Sequence, residues 1–186
     1  MSAPIVQSRW PESVATRHYP AVGSEPTINF VRQRKGGRRP TAGDLFSMQL
    51  ESKRFLFGRV VDGPLPTGRA PMPGAYLVYV YRDEHRDPEP DQGRLTPENL
   101  LVPPAFINQL GWTKGYFISV ANRPVLPHDR LRQHCFARFN GTFLDENGSL
   151  LDGPSEPCGE WGLGNHRTLD DAVSDALGVP RAPDPA

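Results

Sequence analysis

A regular alternation of apolar and polar residues marks the stretch TAGDLFSMQLESKRFLFGRVV, residues 41–61. Phe46, Met48 and Leu50 alternate with polar neighbours, which is the period of two that a half-buried strand requires. A polar turn follows, and apolar residues alternate again on the return. Gly58 lies in the middle of this second run, where a missing side chain indicates a bulge or a close backbone approach. The pattern predicts a β-hairpin.

Elsewhere the pattern predicts short elements between polar, proline-rich loops. Residues 75–81 are apolar on both faces, as expected for a central strand, and Asn-Gly pairs at 140–141 and 147–148 predict the turns of a meander. Prolines 103–104 are expected to stop a short helix that begins after Thr96. The predicted elements are strands at 27–31, 44–50, 55–61, 75–81 and 114–120, a three-strand meander at 134–153, and helices at 97–102 and 168–178.

These elements predict a mainly β (α+β) fold. We expect a strongly bent antiparallel sheet or a partly open barrel, with a C-terminal helix packed across it and a short mid-chain helix. The boundaries of the periodic region suggest the domain organisation. We expect an irregular N-terminal arm over 1–26, a single β-rich domain over 27–178 and a C-terminal tail over 179–186.

The composition narrows the class of protein. The 186 residues include 18 glycines and 21 prolines, which favours short elements and many turns. No stretch approaches the ~20 apolar residues that a membrane span needs, and the N-terminus lacks the pattern of a signal peptide. We therefore expect a cytoplasmic protein without membrane contact, in which Cys135 and Cys158 are reduced, partly buried thiols.

Charge is distributed unevenly although its sum is zero. Residues 1–40 carry a net charge of +5, residues 41–142 a net charge of +2 and residues 143–186 a net charge of −7. A polarised molecule of this kind suits electrostatic steering towards a charged partner. Acidic side chains of the last third could mimic nucleic acid towards a basic nuclease; they include Asp145, Glu146, Asp152, Glu156 and Glu160.

The residues that could support catalysis or metal binding do not form a recognisable motif. The glycine-rich stretch 159–164 lacks the lysine and the Ser/Thr of a phosphate-binding loop. The zinc candidates match no standard motif in their spacing; they are His128, His134, Cys135, Cys158 and His166. An enzymatic function requires His128, His134 and Cys135 to meet in a pocket. The sequence therefore predicts no catalytic residue, no metal and no cofactor.

A basic run and an aromatic stretch are the candidate binding features. Basic residues within 32–39 could contact several phosphates while neighbouring aromatic side chains stack on bases. The basic residues are Arg32, Arg34, Lys35, Arg38 and Arg39, and the stacking candidates are Phe55, Phe57, Tyr79 and Tyr81. Residues 111–130 are rich in Trp, Tyr and Arg, the types that dominate protein-interface hot spots. Each feature also has a structural interpretation, as a charged flank of the hairpin and as aromatic cover for one end of a barrel.

Arg59 is the unusual residue of the predicted hairpin. It shares a strand face with Phe57 and Val61, which the pattern predicts to be apolar. A cation on such a face must find a pairing partner or reach an edge of the sheet. We expect Arg59 to support the core rather than to act in function.

Several motifs of this chain recur together in one family. The basic run is followed by Pro40, then by Gly43-Asp44-Leu45-Phe46, and the hairpin returns through Phe57-Gly58-Arg59-Val60. The later motifs are LGWTKGYF (110–117), QHCF (133–136), LDENGSLL (144–151) and EWGLG (160–164). Over roughly residues 27–178 the sequence resembles the immunity protein 26 family of bacterial polymorphic toxin systems, and it departs from that pattern in the loop 62–75 and the arm 1–26.

The resemblance implies a β-rich, non-enzymatic immunity protein. Such a protein is expected to bind and neutralise a cognate toxin, with a nuclease as one candidate, through protein–protein contacts. The candidate partner-binding residues are Trp112, Tyr116, Arg123, Glu156, Glu160 and Trp161. The alternative function is a small nucleic-acid-binding β-barrel module that uses the basic residues of 32–39.

Overall fold

A computed structural model describes residues 28–183 of the protein. A seven-stranded sheet curls into half a barrel, and a four-stranded sheet packs against it. This mainly β architecture with two α-helices confirms the predicted fold class. The large sheet contains β1 (Phe30–Val31), β2 (Asp44–Leu50), β3 (Phe55–Asp62), β4 (Tyr76–His85), β5 (Leu100–Ile107), β6 (Phe117–Asn122) and β11 (Leu163–Gly164); the small sheet contains β7 (Cys135–Ala137), β8 (Phe143–Leu144), β9 (Leu150–Leu151) and β10 (Cys158–Glu160); the helices are α1 (Leu110–Lys114) and α2 (His166–Leu177).

The predicted hairpin forms the centre of the large sheet. Strands β2 and β3 pair antiparallel, with Phe46 opposite Gly58. A Cβ atom at Gly58 would lie 2.7 Å from the carbonyl oxygen of Tyr79 and would enter the ring of Phe46. Such contacts are far inside van der Waals distance, so only glycine fits here. The close approach that the sequence predicted at this position is confirmed.

The large sheet is buried on both faces. Along β4, Tyr76, Val78 and Val80 belong to one hydrophobic cluster, and Leu77 and Tyr79 belong to the other. The first cluster packs under α1 and α2, and the second packs against the small sheet and its loops. Burial on both sides explains why this strand reads as a continuous apolar run rather than an alternating one.

One predicted helix is wrong. Residues 97–99 form a single 3-10 turn, and the chain then continues as β5, which contains Pro103 and Pro104. The pairing of β5 with β4 skips these prolines, because Val102 pairs with Val80 and Ala105 with Val78. Two residues thus oppose one at a bulge, where a missing N–H costs no ladder hydrogen bond. The short mid-chain helix is instead α1, which lies within a segment that the sequence pattern assigned to loop and strand.

The meander and the C-terminal helix agree closely with the prediction. Strands β7, β8 and β9 pair in order, and Gly141 and Gly148 supply the left-handed conformations of the two Asn-Gly turns. Helix α2 begins at His166, two residues before the predicted start at 168, and Asn165 is its N-cap. It ends at the predicted glycine, Gly178.

The predicted arm over 1–26 lies outside the described residues. Within the described part, 28–183, no helix has the length and apolar character needed to cross a membrane.

Candidate partner-binding surface

Trp112 and Tyr116, two of the predicted partner contacts, lie inside the protein. The Trp112 side chain is 0% exposed and packs edge-on against Phe46 and Phe117, with ring centroids 4.9 and 5.0 Å away. Tyr116 is 6% exposed, and its ring stacks on His166 at 5.0 Å. The expectation that these aromatic side chains are exposed is wrong, because their segment folds onto the hydrophobic core. Neither residue offers a surface to a partner in this fold.

Arg123 lies at the mouth of a small cleft of about 250 Å³, whose floor is Arg59. The guanidinium of Arg123 donates from Nη1 to Gln92 Oε1 at 2.7 Å. Arg59 is 1% exposed; its Nη1 pairs with Asp129 at 2.8 Å, and its Nη2 donates to the Pro124 carbonyl oxygen at 2.9 Å. The cation therefore finds the pairing partner that its position on a buried strand face demands.

The other three predicted contacts lie together around β10. Glu156 and Glu160 are exposed, and Glu156 Oε2 accepts the backbone N–H of Cys158 at 3.1 Å. Trp161 is half-buried, and its ring packs edge-on against Phe106 at 5.4 Å. The structure thus places Glu156, Glu160 and Trp161 on one segment. Arg123 belongs to a different loop.

A disulfide bond joins β7 to β10. Cys135 and Cys158 face each other in register in the parallel pair of these strands, with Cα atoms 4.6 Å apart. The expectation of two reduced thiols is therefore wrong. The two positions are 23 residues apart, and no local pattern indicates that their strands run side by side. The bond fastens β10, which carries Glu160, to the fully buried Cys135.

The segment 155–164 lines two grooves: an apolar groove along its second part, from 158 onward, and a charged groove along its first part, 155–157. The apolar groove, about 380 Å³, lies between β5, β10, β11 and α2. Its apolar walls come mainly from Val102, Phe106, Ile107, Leu163, Leu169 and Ala172. The charged groove, about 680 Å³, is lined by the first part of the segment. Its charged side chains are Glu98, Arg130, Arg132 and Glu156.

The basic run 32–39 is an ordered part of the surface, and all five of its cationic side chains are exposed. Gln33 fastens it by donating from Nε2 to the Tyr116 carbonyl oxygen at 2.8 Å, and Arg38 pairs with Asp44 at 2.7 Å. Burial alone would raise the pKa of Asp44, but hydrogen bonds from Arg38 and from Asn122 outweigh it and hold that pKa below its usual value.

The aromatic residues proposed to stack on bases do not accompany the run. Phe57, Tyr79 and Tyr81 are each 0% exposed, and Phe55 is half-buried. Their side chains belong to the second hydrophobic cluster or pack against it. The stacking role predicted for them is wrong, because these strands are covered by the small sheet and its loops.

The three residues of the enzymatic alternative have separate surroundings and do not meet in a pocket. Cys135 is bonded in the disulfide, so it has no thiolate to act as a nucleophile. His134 is buried, with Nε2 hydrogen-bonded to the Tyr79 hydroxyl at 2.6 Å and Nδ1 3.1 Å from Glu146 Oε2. Burial raises the pKa of Tyr79 to about 12, and the hydrogen bond with His134 lowers the pKa of Glu146. His128, by contrast, is 77% exposed on its loop.

Metal binding has no support in the described part of the chain. Among residues 28–183, no group of three His, Cys, Asp or Glu side chains is placed to hold a metal ion.

The fold and surface define a mainly β protein. Its curled sheet carries a segment that a disulfide bond holds in place and that lines two grooves. Comparison with known families gives the particular assignment. The model of the immunity protein 26 family matches residues 41–142, from the start of the hairpin to the turn between β7 and β8. The match covers more than half of the 186 residues, so the chain belongs to the immunity protein 26 family. No curated protein and no solved structure matches it.

Proposed function

We propose that this protein binds a cognate bacterial toxin and neutralises it by protein–protein contact, without catalysing a reaction. The observation that carries the proposal is the family match over 41–142. The disulfide at Cys135 and the separate surroundings of His128 and His134 also support a binding function over the enzymatic alternative.

A basic nuclease is the toxin type that best suits the acidic C-terminal third. Asp152, Glu156 and Glu160 are exposed and available to a partner. Asp145 and Glu146 are engaged within the protein, because Asp145 accepts the backbone N–H groups of its own turn and Glu146 contacts His134. Charge reversal at Glu156 and Glu160 should therefore weaken toxin binding and flatten its salt dependence. Unchanged affinity and salt dependence would exclude nucleic-acid mimicry by this surface.

Nucleic-acid binding is a second candidate, favoured by the exposure of the basic run. Its five cations could contact phosphates directly, although the fold provides no adjacent stacking platform from the predicted aromatics. This function predicts affinity for RNA or DNA that falls steeply with salt and is lost when Arg34, Lys35 and Arg39 become glutamine. Unchanged toxin affinity of that triple variant would exclude the run from the toxin interface.

The cytoplasmic location predicted from sequence is tested by the disulfide. Disulfides persist in oxidising compartments and are rare in the cytosol. Trapping free thiols in living cells with a mass-adding maleimide, followed by electrophoresis, measures the state of Cys135 and Cys158 directly. Modification of both cysteines would support a cytoplasmic location, and an unmodified, oxidised pair would support a location in an oxidising compartment.

The central experiment is affinity capture from native lysate, with and without nuclease treatment, followed by expression of the captured protein. We expect one dominant protein to be retained under both conditions and to arrest growth when it is expressed alone. Co-expression of this chain should restore growth and should give a complex of the two purified proteins. Capture of nucleic acid, with every protein lost after nuclease treatment, would replace the proposal by the second candidate.

A further inference from the structure

The apolar groove has a single charged side chain. Its walls are apolar side chains and backbone of β5, β10, β11 and α2, and Glu160 is the one charged residue among those that line it. The Glu160 carboxylate is exposed, and none of the hydrogen bonds or ion pairs among residues 28–183 involves it. The Thr168 hydroxyl, the other polar side-chain group of the lining, already accepts the N–H of Asn165. The groove therefore combines an apolar interior with one unpaired negative charge.

The walls of this groove are fixed in several ways. The disulfide holds Cys158 of β10, and β11 pairs with β5 through Leu163 and Phe106. A Cβ atom at Gly159 would collide with the Pro104 carbonyl oxygen, so β10 lies directly against β5 at this point. A groove with fixed walls requires little ordering when a ligand binds, which favours affinity.

We infer that the apolar groove receives an arginine or lysine side chain of the toxin, with the aliphatic stem against the apolar walls and the cationic head at Glu160. This inference rests on the proposed function. Long cationic side chains bury their methylene stems on apolar surface while the charged head remains at the rim. The volume of about 380 Å³ falls within the range of pockets that bury small ligands. Charge complementarity selects the cation, because no basic side chain lines the groove.

Most of the groove lies beyond the residues that the family model matches. The match ends at residue 142, whereas β10, β11 and α2 all follow it. Three of the four elements that form the groove thus lie beyond the matched residues.

Two pairs of variants test the inference, with the captured and purified toxin domain as the probe. Gly162 and Gly153 both lie where an added Cβ meets open space, and only Gly162 lines the apolar groove. We expect Gly162→Trp to fill the groove and weaken toxin binding at least about 100-fold, and Gly153→Trp to leave affinity within about threefold. Glu160→Arg should weaken binding about tenfold or more, with the largest effect at low salt, while Glu51→Arg, in the exposed turn between β2 and β3, should not.

The occupant is identified by photo-crosslinking in the full-length protein. p-Benzoylphenylalanine at position 103, which lies exposed at the rim of the groove, should form a bond to a toxin peptide that contains arginine or lysine. A crosslink to a second copy of this chain, or to residues of the same chain, would assign the groove to that occupant and overturn the inference. Wild-type binding by both Gly162→Trp and Glu160→Arg would also overturn it while leaving the proposed function intact. Failure of the wild-type protein to bind any toxin would instead contradict the proposed function.

Discussion

Breaking the bond between Cys135 and Cys158, by reduction or by a double substitution with alanine, releases a constraint on the unfolded chain. The two residues are 23 positions apart. Loop-closure entropy for a crosslink of this length corresponds to about 3.5 kcal/mol of stability at 25 °C. For a chain of this size the loss should lower Tm by about 7–14 °C. The remaining attachments of β10, a three-residue parallel pairing and the contact of Gly159 with Pro104, do not replace a covalent bond.

The assay is guanidinium unfolding followed by far-ultraviolet circular dichroism, with and without a dithiol reductant. We expect the oxidised protein to unfold at a clearly higher denaturant concentration than the reduced protein. The Cys135→Ala, Cys158→Ala double variant is the control, since the reductant should leave its curve unchanged. If the free energies of unfolding of the oxidised and the reduced protein agree within about 0.5 kcal/mol, the crosslink does not constrain the unfolded chain as argued.

Hydrogen exchange of the backbone amides is a second test of what the disulfide holds in place. Reduction should raise the exchange rate of β10 and its neighbours more than that of β2 or β3, because β10 depends on the bond while the central hairpin does not. Uniform acceleration across the whole chain would indicate global destabilisation without local release.

Three further perturbations test the interior. Trp112→Ala removes a fully buried indole and should cost about 3–5 kcal/mol in urea unfolding; a cost below about 1 kcal/mol would contradict its burial. Asp129→Ala leaves Arg59 charged and buried without its ion-pair partner, and should lower the free energy of unfolding by a similar amount. Adding Arg59→Met to this variant should recover most of that loss. The hydrogen bond with His134 lowers the pKa of Glu146 below the usual 4.5, so its stabilising contribution is complete above about pH 5 and disappears as the pH falls through the lowered pKa. Glu146→Gln should therefore destabilise at pH 7 and have little effect near pH 2, and an equal loss at both pH values would refute this linkage.

Local patterns predicted the elements whose causes are local. The hairpin at 44–62, the Asn-Gly turns and the end of α2 at Gly178 each depend on residues within a few positions of one another. The prolines at 103–104 were wrongly predicted to stop a helix, because their place in the structure has a non-local cause. Their tolerance in β5 depends on the register with β4, which places both prolines opposite Tyr79 at a bulge. The register between two strands that are far apart in the sequence, such as β4 and β5, is not encoded in either strand alone.

The candidate surface was predictable only in part for the same physical reason. Glu156 and Glu160 were found because exposed charges in a glycine-rich stretch tend to stay exposed. Trp112 and Tyr116 were misplaced because residue type does not distinguish an interface aromatic from a core aromatic, and only the packing of α1 decides between them. The disulfide was missed because two cysteines in a chain read as cytoplasmic predict thiols, whereas the parallel pairing of β7 with β10 brings them together.

The covalent bond and one wall of the apolar groove meet at β10. A three-residue strand that pairs with a single neighbour is weakly held by hydrogen bonds alone, so the crosslink to Cys135 determines how rigid the groove wall is. If the groove binds the toxin, its affinity should depend on the oxidation state of that bond, since a loosened β10 must be ordered again on binding. The redox state of the compartment would then control neutralisation through a strand that contributes little to the central sheet. Toxin affinity that is unchanged by reduction, in a protein with a confirmed disulfide, would separate the groove from the bond and leave the crosslink a purely stabilising role.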